Sequence, residues 1–282
     1  MKKNWFPGLM AREEKRLKEN LKLVDLVVEV LDARIPLTSR NKKLQTLLGD
    51  KKRILVLNKS DLAEENITRQ WAQFFSGEDM PVLIFSSYSG HQVKRLEKIL
   101  KGYTPKKTRF KKPFRLMVVG IPNVGKSSVI NRLIGKTSAR TGGEPGITRG
   151  PQWIKMRSGW EMLDTPGLLA PSVDSEENAL ALAATGNLSS RVIDEESVAW
   201  WLLNKLIALQ KVSSFMEYYS LNFSGNITPE SLFSQVGENR GCLAAGGKVD
   251  PEKTAQVILR DFKKGNWGRI TLERPEDYEE TS

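Results

Sequence analysis

The sequence predicts an α/β fold, in which a doubly wound, mostly parallel sheet is followed by a smaller all-α domain. Short apolar runs predict strands that are covered on both faces, as in a parallel sheet, at residues 25–32, 54–57, 82–85 and 116–119. Helical patterns separate these runs, and such alternation is typical of βαβ units. After about residue 175 the apolar spacing is helical throughout. We therefore expect two domains, at residues 1–175 and 176–282.

The elements of the first domain follow in order. Residues 11–22 predict a basic amphipathic helix, because Leu17 and Leu21 are four apart among charged residues. Helices are expected between the predicted strands, at residues 41–48, 66–76 and 91–101. Two further short strands, joined around Ser158-Gly159, predict a hairpin at residues 153–156 and 160–163.

The second domain shows helix signals of its own. Asp250 and Pro251 supply an N-cap and a first-turn proline, and Thr228-Pro229 begins another helix in the same way. After Asp250-Pro251, apolar residues with helical spacing follow at Ala255, Ile258, Leu259 and Phe262. A further helix is predicted earlier in the domain, where the same spacing occurs at Val198, Trp201, Leu202, Leu206 and Leu209.

The charge balance indicates the class of partner. Lys plus Arg is 44 and Asp plus Glu is 33, which gives a net charge of +11. Such a basic chain favours a nucleic-acid partner over an acidic membrane surface. No apolar run is long enough to span a membrane, the N-terminus is not a signal peptide, and a single cysteine (Cys242) allows no disulfide framework. We expect a cytoplasmic protein without a membrane partner, in which Cys242 is a small buried residue.

Residues 101–115 contain many basic residues, no acidic residue, and both Pro105 and Pro113. This composition is typical of an exposed linker. It is equally consistent with a surface that contacts RNA and with one that is only solvated.

A phosphate-binding loop (P-loop) is predicted at residues 120–127. The segment Gly-Ile-Pro-Asn-Val-Gly-Lys-Ser matches G-x-x-x-x-G-K-[ST], with a predicted strand before it and a helical pattern after it. Glycines let the backbone wrap the phosphates, and N–H groups at the helix start point at their oxygens. Lys126 would neutralise β- and γ-phosphate charge, and the Ser127 hydroxyl would bind Mg²⁺.

A second phosphate-side segment follows the predicted hairpin. Asp164-Thr165-Pro166-Gly167 places Asp164 to hold Mg²⁺ through water and the Gly167 N–H to meet the γ-phosphate. Thr148 lies between this segment and the P-loop, and its hydroxyl is expected to complete the Mg²⁺ shell. An ordinary Gly/Pro turn is the alternative for Thr148.

A base-recognition segment, residues 58–61, ends the predicted strand 54–57. The carboxylate of Asp61 would accept hydrogen bonds from guanine N1–H and its 2-amino group, which adenine does not offer. Asn58 would hold the base and the loops, and the Lys59 stem would cover the ring face. Ser86 and Ser87 would add a backbone N–H behind the base.

Together these segments predict a GTP/GDP site with Mg²⁺. The residues expected to contact the nucleotide are Asn58, Lys59, Asp61, Ser86, Ser87, Asn123, Val124, Gly125, Lys126, Ser127, Ser128, Thr148, Asp164 and Gly167. Of these, Lys126, Thr148 and Gly167 are expected to act in catalysis. Ser127 and Thr148 would bind Mg²⁺ directly. The base-recognition segment precedes the P-loop, which reverses the order found in most small GTPases.

This reversed order resembles the circularly permuted P-loop GTPases of the bacterial ribosome-biogenesis family that assists large-subunit assembly. The opening Trp5-Phe6-Pro7-Gly8, the Asp32-Ala33-Arg34-Ile35-Pro36 stretch, and Arg240-Gly241-Cys242-Leu243 with Gly246-Gly247 carry the resemblance over nearly the whole chain. It implies a GTP-hydrolysing switch that binds the precursor of the large (50S) subunit and its rRNA. We expect it to act as a monomer.

The group that orients the attacking water is not evident. Leu168 stands where many GTPases have a Gln, and Leu9 stands where members of the resembled family tend to have a His. We therefore expect slow intrinsic hydrolysis, stimulated by the ribosomal particle or by a monovalent cation. Asn123 resembles the asparagine of potassium-stimulated GTPases, although turn geometry explains a loop asparagine equally well.

In the second domain, RNA contact is expected from Lys248, Lys253, Arg260, Lys263 and Lys264, with a solvated helix face as the alternative. Two other functions stay open at this point. One is an RNA-binding scaffold whose GTP is structural and slowly hydrolysed, and the other is a GTPase that acts on tRNA.

Overall fold

The computed structural model describes residues 7–76, 80–86, 90–104, 113–134, 152–156, 158–164, 171, 173–189, 192–223 and 225–279. Within these ranges the side chains of residues 7–11, 90, 91, 152, 164 and 279 are not described. The strands are β1 (Leu26–Asp32), β2 (Arg53–Asn58), β3 (Val82–Ile84), β4 (Arg115–Val119), β5 (Gln152–Lys155) and β6 (Glu161–Asp164). The helices are α1 (Pro7–Leu21), α2 (Lys42–Leu48), α3 (Glu65–Ser76), α4 (Gly90–Tyr103), α5 (Lys126–Ile134), α6 (Glu176–Ala184), α7 (Glu195–Ala208), α8 (Val212–Tyr219), α9 (Pro229–Asn239), α10 (Pro251–Lys264) and α11 (Glu276–Glu279).

The described strands form one six-stranded sheet in the order β3-β2-β1-β4-β6-β5. All neighbours are parallel except β5 and β6, which pair as the predicted antiparallel hairpin. The chain runs outward from β1 to β3 and then returns to β4 on the other side of β1. The carboxyl ends of β1 and β4 therefore form a topological switch point, which is where open α/β sheets bind ligands.

Helices cover both faces of the sheet, as the nearly continuous apolar runs of the strands predict. On one face, Val27 and Met117 pack with Leu17 of α1 and Leu44 of α2. The other face packs against α4 and α5 through Leu96, Leu100, Val129 and Leu133. The doubly wound, mostly parallel fold predicted from the sequence is confirmed.

The part after residue 176 is helical, and its ends follow the predicted caps. Asp250 caps α10 through the backbone N–H of Lys253, with Pro251 in the first turn, and Thr228 forms a capping box at α9. Cys242 is buried, as expected. The buried cluster that fills this helical part is continuous with one face of the sheet.

Element boundaries differ from the predictions by a few residues, and three helices were missed. The first helix begins at Pro7 instead of residue 11, and β3 ends at Ile84 instead of residue 85. The missed helices are α6, α8 and the short α11. Helix α6 lacks an amphipathic pattern, because its alanines and leucines are buried on nearly all sides.

Candidate nucleotide-binding site

The P-loop lies between β4 and α5, at the switch point of the sheet. Gly120 has φ +146°, and a Cβ there would lie 2.4 Å from the Val30 carbonyl oxygen. Gly125 has φ +97°, and a Cβ there would lie 2.1 Å from Nδ2 of Asn58. Both glycines are therefore required by close approach as well as by backbone conformation.

Asn123 lies at the tip of this loop in the left-handed conformation, with φ +63°. Its side-chain amide donates a hydrogen bond to the backbone carbonyl of Gly186, at 2.8 Å. The predicted phosphate loop is therefore in direct contact with the turn that follows α6.

Lys126 begins α5, and its ammonium group donates to the carbonyl of Ile121 at 2.7 Å. Burial lowers the pKa of Lys126 to about 8, and none of the described carboxylates is paired with it. The first three N–H groups of a helix have no acceptor within the helix, and here they belong to Lys126, Ser127 and Ser128. A phosphate group fits this arrangement, since it supplies both the counter-charge and the acceptors.

The base-recognition segment is attached to the P-loop. Asn58 ends β2, is 2% exposed, and donates from Nδ2 to the carbonyl of Val124 at 2.7 Å. Lys59, with φ +60°, follows it. The left-handed conformation is costly for a lysine and is characteristic of residues held in place by a functional site.

Asp61 lines a cavity of about 410 Å³ together with Ser60, Ser86, Gln92 and Arg269. This volume is in the range of small-molecule sites. The backbone N–H of Ser86 donates to the side chain of Gln92, so this predicted base contact is already engaged within the protein.

Several predicted site residues lie outside the described part of the chain. They are Ser87, Thr148, Gly167 and Leu168, together with the side chains of Leu9 and Asp164. The backbone of Asp164 ends β6, which runs parallel to β4, so Asp164 lies at the same edge of the sheet as the P-loop.

A buried cluster of polar residues, which sequence reasoning did not assign to the site, lies behind the base-recognition segment. We call it the Asp32 cluster, and it consists of Asp32, Arg34, Lys59, Thr185 and Asn187. Asp32 ends β1 and is fully buried. Its Oδ1 accepts from the backbone N–H and Nε of Arg34, at 3.1 and 3.0 Å. Its Oδ2 accepts from Arg34, Lys59 and Asn187, at 2.7, 2.8 and 3.0 Å.

The Asp32 cluster is charged despite its burial. Burial alone would raise the pKa of Asp32, but Arg34 and Lys59 together hold it well below its usual range. Burial also lowers the pKa of Lys59, and the Asp32 carboxylate opposes that shift. The sequence signal was Asp32 at the end of a mostly apolar strand with Arg34 two residues later, and this pattern identifies a buried ion pair only once the folded positions of both side chains are known.

Comparison with known proteins agrees with this geometry. The family model described as "50S ribosome-binding GTPase" matches residues 115–217. "Ribosome biogenesis GTPase A" of Bacillus licheniformis is 39% identical over 97% of this chain and 98% of its own length. This chain belongs to the ribosome biogenesis GTPase A family. The protein of the same name from Thermotoga maritima is 33% identical over 97% of this chain and 95% of its own length.

Solved structures of the family support the nucleotide site. The GDP-bound structure of TM YlqF matches with a TM-score of 0.68 and 30% identity, over 93% of this chain and all of that one. The GNP-bound YlqF from T. maritima matches equally well, with a TM-score of 0.68 and 29% identity over 94% and 99% of the two chains. A guanine nucleotide site is thus a property of the family, and the reversed order of its segments is the circular permutation.

The described residues also bear on the cations. No group of three or more His, Cys, Asp or Glu side chains suited to a metal occurs in the described part of the chain. A Mg²⁺ site would be built mainly from nucleotide oxygens, as is usual for Mg²⁺ in NTPases, with Ser127 as the described protein ligand. That hydroxyl lies in the first turn of α5, beside Lys126, and this position fits the role.

Proposed function

We propose that this protein is a GTP-hydrolysing switch that binds the precursor of the large ribosomal subunit, with its rRNA, and assists its assembly. The names of its relatives support the ribosomal part. The observation that carries the nucleotide part is the hydrogen bond from Asn58 to Val124, because it makes the base-recognition segment and the P-loop a single unit.

In this proposal each site residue has a defined task. Asp61 accepts from guanine, and the Lys59 stem covers the ring while its ammonium group stays with Asp32. Lys126 and the N–H groups of the first turn of α5 bind the phosphates. Bound Mg²⁺ would offset phosphate charge, with Ser127 and Thr148 as ligands and Asp164 acting through water. Val124, Gly125 and Ser128 contribute backbone contacts.

Hydrolysis is proposed to be slow in the isolated protein. Leu9 and Leu168 stand where a water-orienting polar side chain would be expected, so the ribosomal particle or a monovalent cation supplies the stimulation. Multiple-turnover phosphate release, measured with and without large subunits, tests this. Fast release that subunits leave unchanged would contradict it. Release that stays near zero under both conditions would instead favour the scaffold with structural GTP.

Asn123 is the proposed K⁺ ligand, through its amide oxygen Oδ1. Its Nδ2 group donates to Gly186, and this hydrogen bond fixes the orientation of the amide. GTPase rates in KCl and NaCl, compared between the wild type and Asn123→Ala, test the idea. A cation effect of equal size in both proteins would contradict it.

The helical part, residues 176–282, is proposed to contact RNA, but not through all the predicted cations equally. Lys253 and Arg260 form ion pairs with neighbouring aspartates, at 2.9 and 3.2 Å. Lys263 is half-buried, and its stem packs on Gly186. Lys248 and Lys264 are exposed and are not paired with a described carboxylate, so they are the stronger candidates.

Helix α4 adds a second basic surface on the nucleotide-binding part. Lys94, Arg95, Lys98 and Lys101 are exposed, are spaced to share one face, and have no described carboxylate partner. This surface precedes residues 105–112, which lie outside the described part. We include it in the proposed RNA contact, since phosphate contacts dominate nucleic-acid affinity.

The test of the whole proposal is co-sedimentation with large-subunit particles on sucrose gradients, in GDP, GTP and a non-hydrolysable GTP analogue. We expect association to depend on the nucleotide. Equal association in all three states would contradict the switch, and displacement by excess tRNA would favour the tRNA alternative.

We also propose that the protein is a monomer and that it is located in the cytoplasm. Among the described residues, the large apolar side chains that are exposed are Leu23 and Leu243. So few exposed apolar groups argue against an apolar subunit interface. In the same part of the chain, no helix is both long and apolar enough to cross a membrane.

A further inference from the structure

The turn that follows α6 has a defined backbone conformation. The N–H of Gly186 donates to Ala183 at 3.0 Å, and the N–H of Asn187 donates to Leu182 at 2.7 Å. This pattern, with Gly186 at φ +78°, is a Schellman motif. It aims the carbonyl of Gly186 and the side chain of Asn187 away from the helix.

Both of these groups reach the nucleotide site. The Gly186 carbonyl accepts from Asn123 of the P-loop at 2.8 Å. The Asn187 amide donates to Asp32 at 3.0 Å, across 155 positions of sequence. Two adjacent residues of the turn thus touch the phosphate loop and the carboxylate behind the base-recognition segment.

A third contact comes from Thr185, whose carbonyl accepts from Nη2 of Arg34 at 2.9 Å. The same Nη2 donates to Asp32, and Asp32 accepts from the ammonium group of Lys59. The position of the Lys59 side chain therefore depends on a carboxylate whose orientation the turn helps to fix.

The other side of the turn contacts the helical part. The stem of Lys263 lies 3.6 Å from where a Cβ on Gly186 would be. The guanidinium of Arg34 lies 5.6 Å from the ring centre of Phe262, also on α10. Helices α6 and α10 both pack against α7. The turn is therefore a junction between the nucleotide site and these helices.

We propose that residues 185–187 are a positioning element that couples guanine nucleotide binding to the stability of helices α7 and α10. Nucleotide binding immobilises Lys59 and the P-loop, the Asp32 cluster holds the turn, and the turn holds the helices. Such coupling is reciprocal: nucleotide binding stabilises the helices by the same factor by which the ordered helices strengthen nucleotide binding, so loss of the turn contacts should weaken both effects. The inference rests on the nucleotide site of the proposed function and is independent of the ribosomal partner.

The test uses Asn187→Ala in the full chain, with Asn239→Ala as a control for the loss of an asparagine hydrogen bond. The side-chain amide of Asn239 donates to the backbone carbonyl of Tyr219 at 3.1 Å, within the helical part, whereas that of Asn187 donates to the Asp32 carboxylate. Equilibrium titration with fluorescently labelled GDP gives the nucleotide affinity. Hydrogen–deuterium exchange of α7 and α10, with and without GDP, gives the response of the helices.

We expect wild-type α7 and α10 to gain protection when GDP binds. Asn187→Ala should weaken GDP binding about tenfold and abolish most of this gain, whereas Asn239→Ala should keep wild-type values for both. Absence of the gain in a wild type that binds GDP would overturn the coupling alone. Absence of GDP binding by the wild type would overturn the proposed function as well.

Equal loss of affinity in Asn187→Ala and Asn239→Ala would also overturn the proposal, because it would indicate a general loss of stability. If Asn187→Ala does not fold, Asn123→Gly replaces it. This variant removes the exposed amide that contacts Gly186, while glycine keeps the left-handed backbone without strain. Its exchange measurements are made in sodium buffer, so that a K⁺ effect does not contribute, and an unchanged gain of protection in α7 and α10 would overturn the proposal.

Discussion

Two buried carboxylates accept hydrogen bonds from the segment between β1 and α2, and their surroundings shift their pKa values in opposite directions. Asp32 has Arg34 and Lys59 as partners, which hold its pKa well below the usual range. Glu273, near the C-terminus, accepts from the backbone N–H groups of Leu37 and Thr38 at 2.8 and 3.1 Å. Burial raises its pKa to about 7 and outweighs the Thr38 side chain and the more distant charge of Lys205, which also favour the carboxylate. Buried N–H dipoles do not offset desolvation as full charges do.

This difference separates the two parts of the molecule. The nucleotide side is built from charges that need one another, so removal of one leaves the others buried and unpaired. Glu273, where the C-terminal segment packs on the sheet domain, forms no ion pair among the described residues and tolerates neutralisation, although the adjacent Arg274 pairs with Glu64 at 3.0 Å. Substitutions of Asp32 and of Glu273 should therefore change the free energy of unfolding by different amounts and with a different pH dependence.

The largest expected effect follows Asp32→Ala. Arg34 and Lys59 would remain largely buried without their anion, and breaking such a pair costs about 3–5 kcal/mol of unfolding free energy. Urea denaturation at neutral pH measures it. The control is Asp194→Ala, which removes an exposed N-cap of α7 and should cost about 1 kcal/mol. A cost for Asp32→Ala no larger than the control would break the comparison.

A pH-dependent effect is expected at Glu273. The folded protein keeps a proton on this group up to about pH 7, whereas an unfolded chain releases it near the ordinary value of 4.5. The stability contributed by the protonated group is therefore complete below about pH 4.5 and is lost as the pH rises through 7. The total is about 3 kcal/mol, from 1.36 kcal/mol per pKa unit.

The variant Glu273→Gln should remove this dependence. The difference in unfolding free energy between wild type and variant is measured by urea denaturation from pH 4 to pH 8. We expect the wild type to lose stability relative to the variant across this range. Two parallel profiles would show that folding does not shift the pKa of Glu273, and the contrast with Asp32 would then disappear.

Gly125→Ala tests the close approach of the P-loop to Asn58. The new Cβ would displace Asn58, and φ +97° strains an alanine, so we expect GDP binding to weaken about 30-fold, or about 2 kcal/mol. Gly241→Ala is the control, since φ there is +64° but no atom lies within 4 Å of the new Cβ. It should lower stability only slightly and leave GDP affinity unchanged. Isothermal titration with GDP measures both, and equal affinities for the two variants would contradict the close approach.

The smallest expected loss of stability follows removal of a hydrogen bond to a third buried carboxylate, that of Asp261. This carboxylate accepts from the Tyr219 hydroxyl at 2.9 Å. Tyr219→Phe removes this bond and should cost about 1–2 kcal/mol, which thermal unfolding would detect as a lower Tm. GDP affinity should fall much less than in Asn187→Ala, because neither residue contacts the turn at residues 185–187. A loss of unfolding free energy as large as that of Asp32→Ala would show that the helical part depends on its buried polar groups as strongly as the nucleotide site does.

Much of the fold was predictable because its signals are local. The apolar runs of β1, β2 and β4 lie within a residue or two of the predicted strands. The caps at Asp250 and Thr228 act within one helical turn. Helix α6 was missed because burial on all sides removes the periodicity that sequence reasoning uses.

The nucleotide site was predicted in part for the same reason. The P-loop and residues 58–61 are contiguous motifs, so composition and spacing identified them. The hydrogen bond from Asn58 to Val124 spans 66 positions, and that from Asn187 to Asp32 spans 155. Contacts at such separations depend on how the chain returns to the sheet, which no local pattern specifies.

By itself, the sequence determined the alternation of strands and helices, the guanine nucleotide motifs and their permuted order, because each depends on neighbouring residues. Only the tertiary structure decided that Asp32 carries a full charge in the interior and that Asn123 is bound by Gly186. It also decided that burial raises the pKa of the Glu273 carboxyl group strongly. Charge and pKa in the interior depend on which groups pack around an atom, and packing is a property of the folded chain.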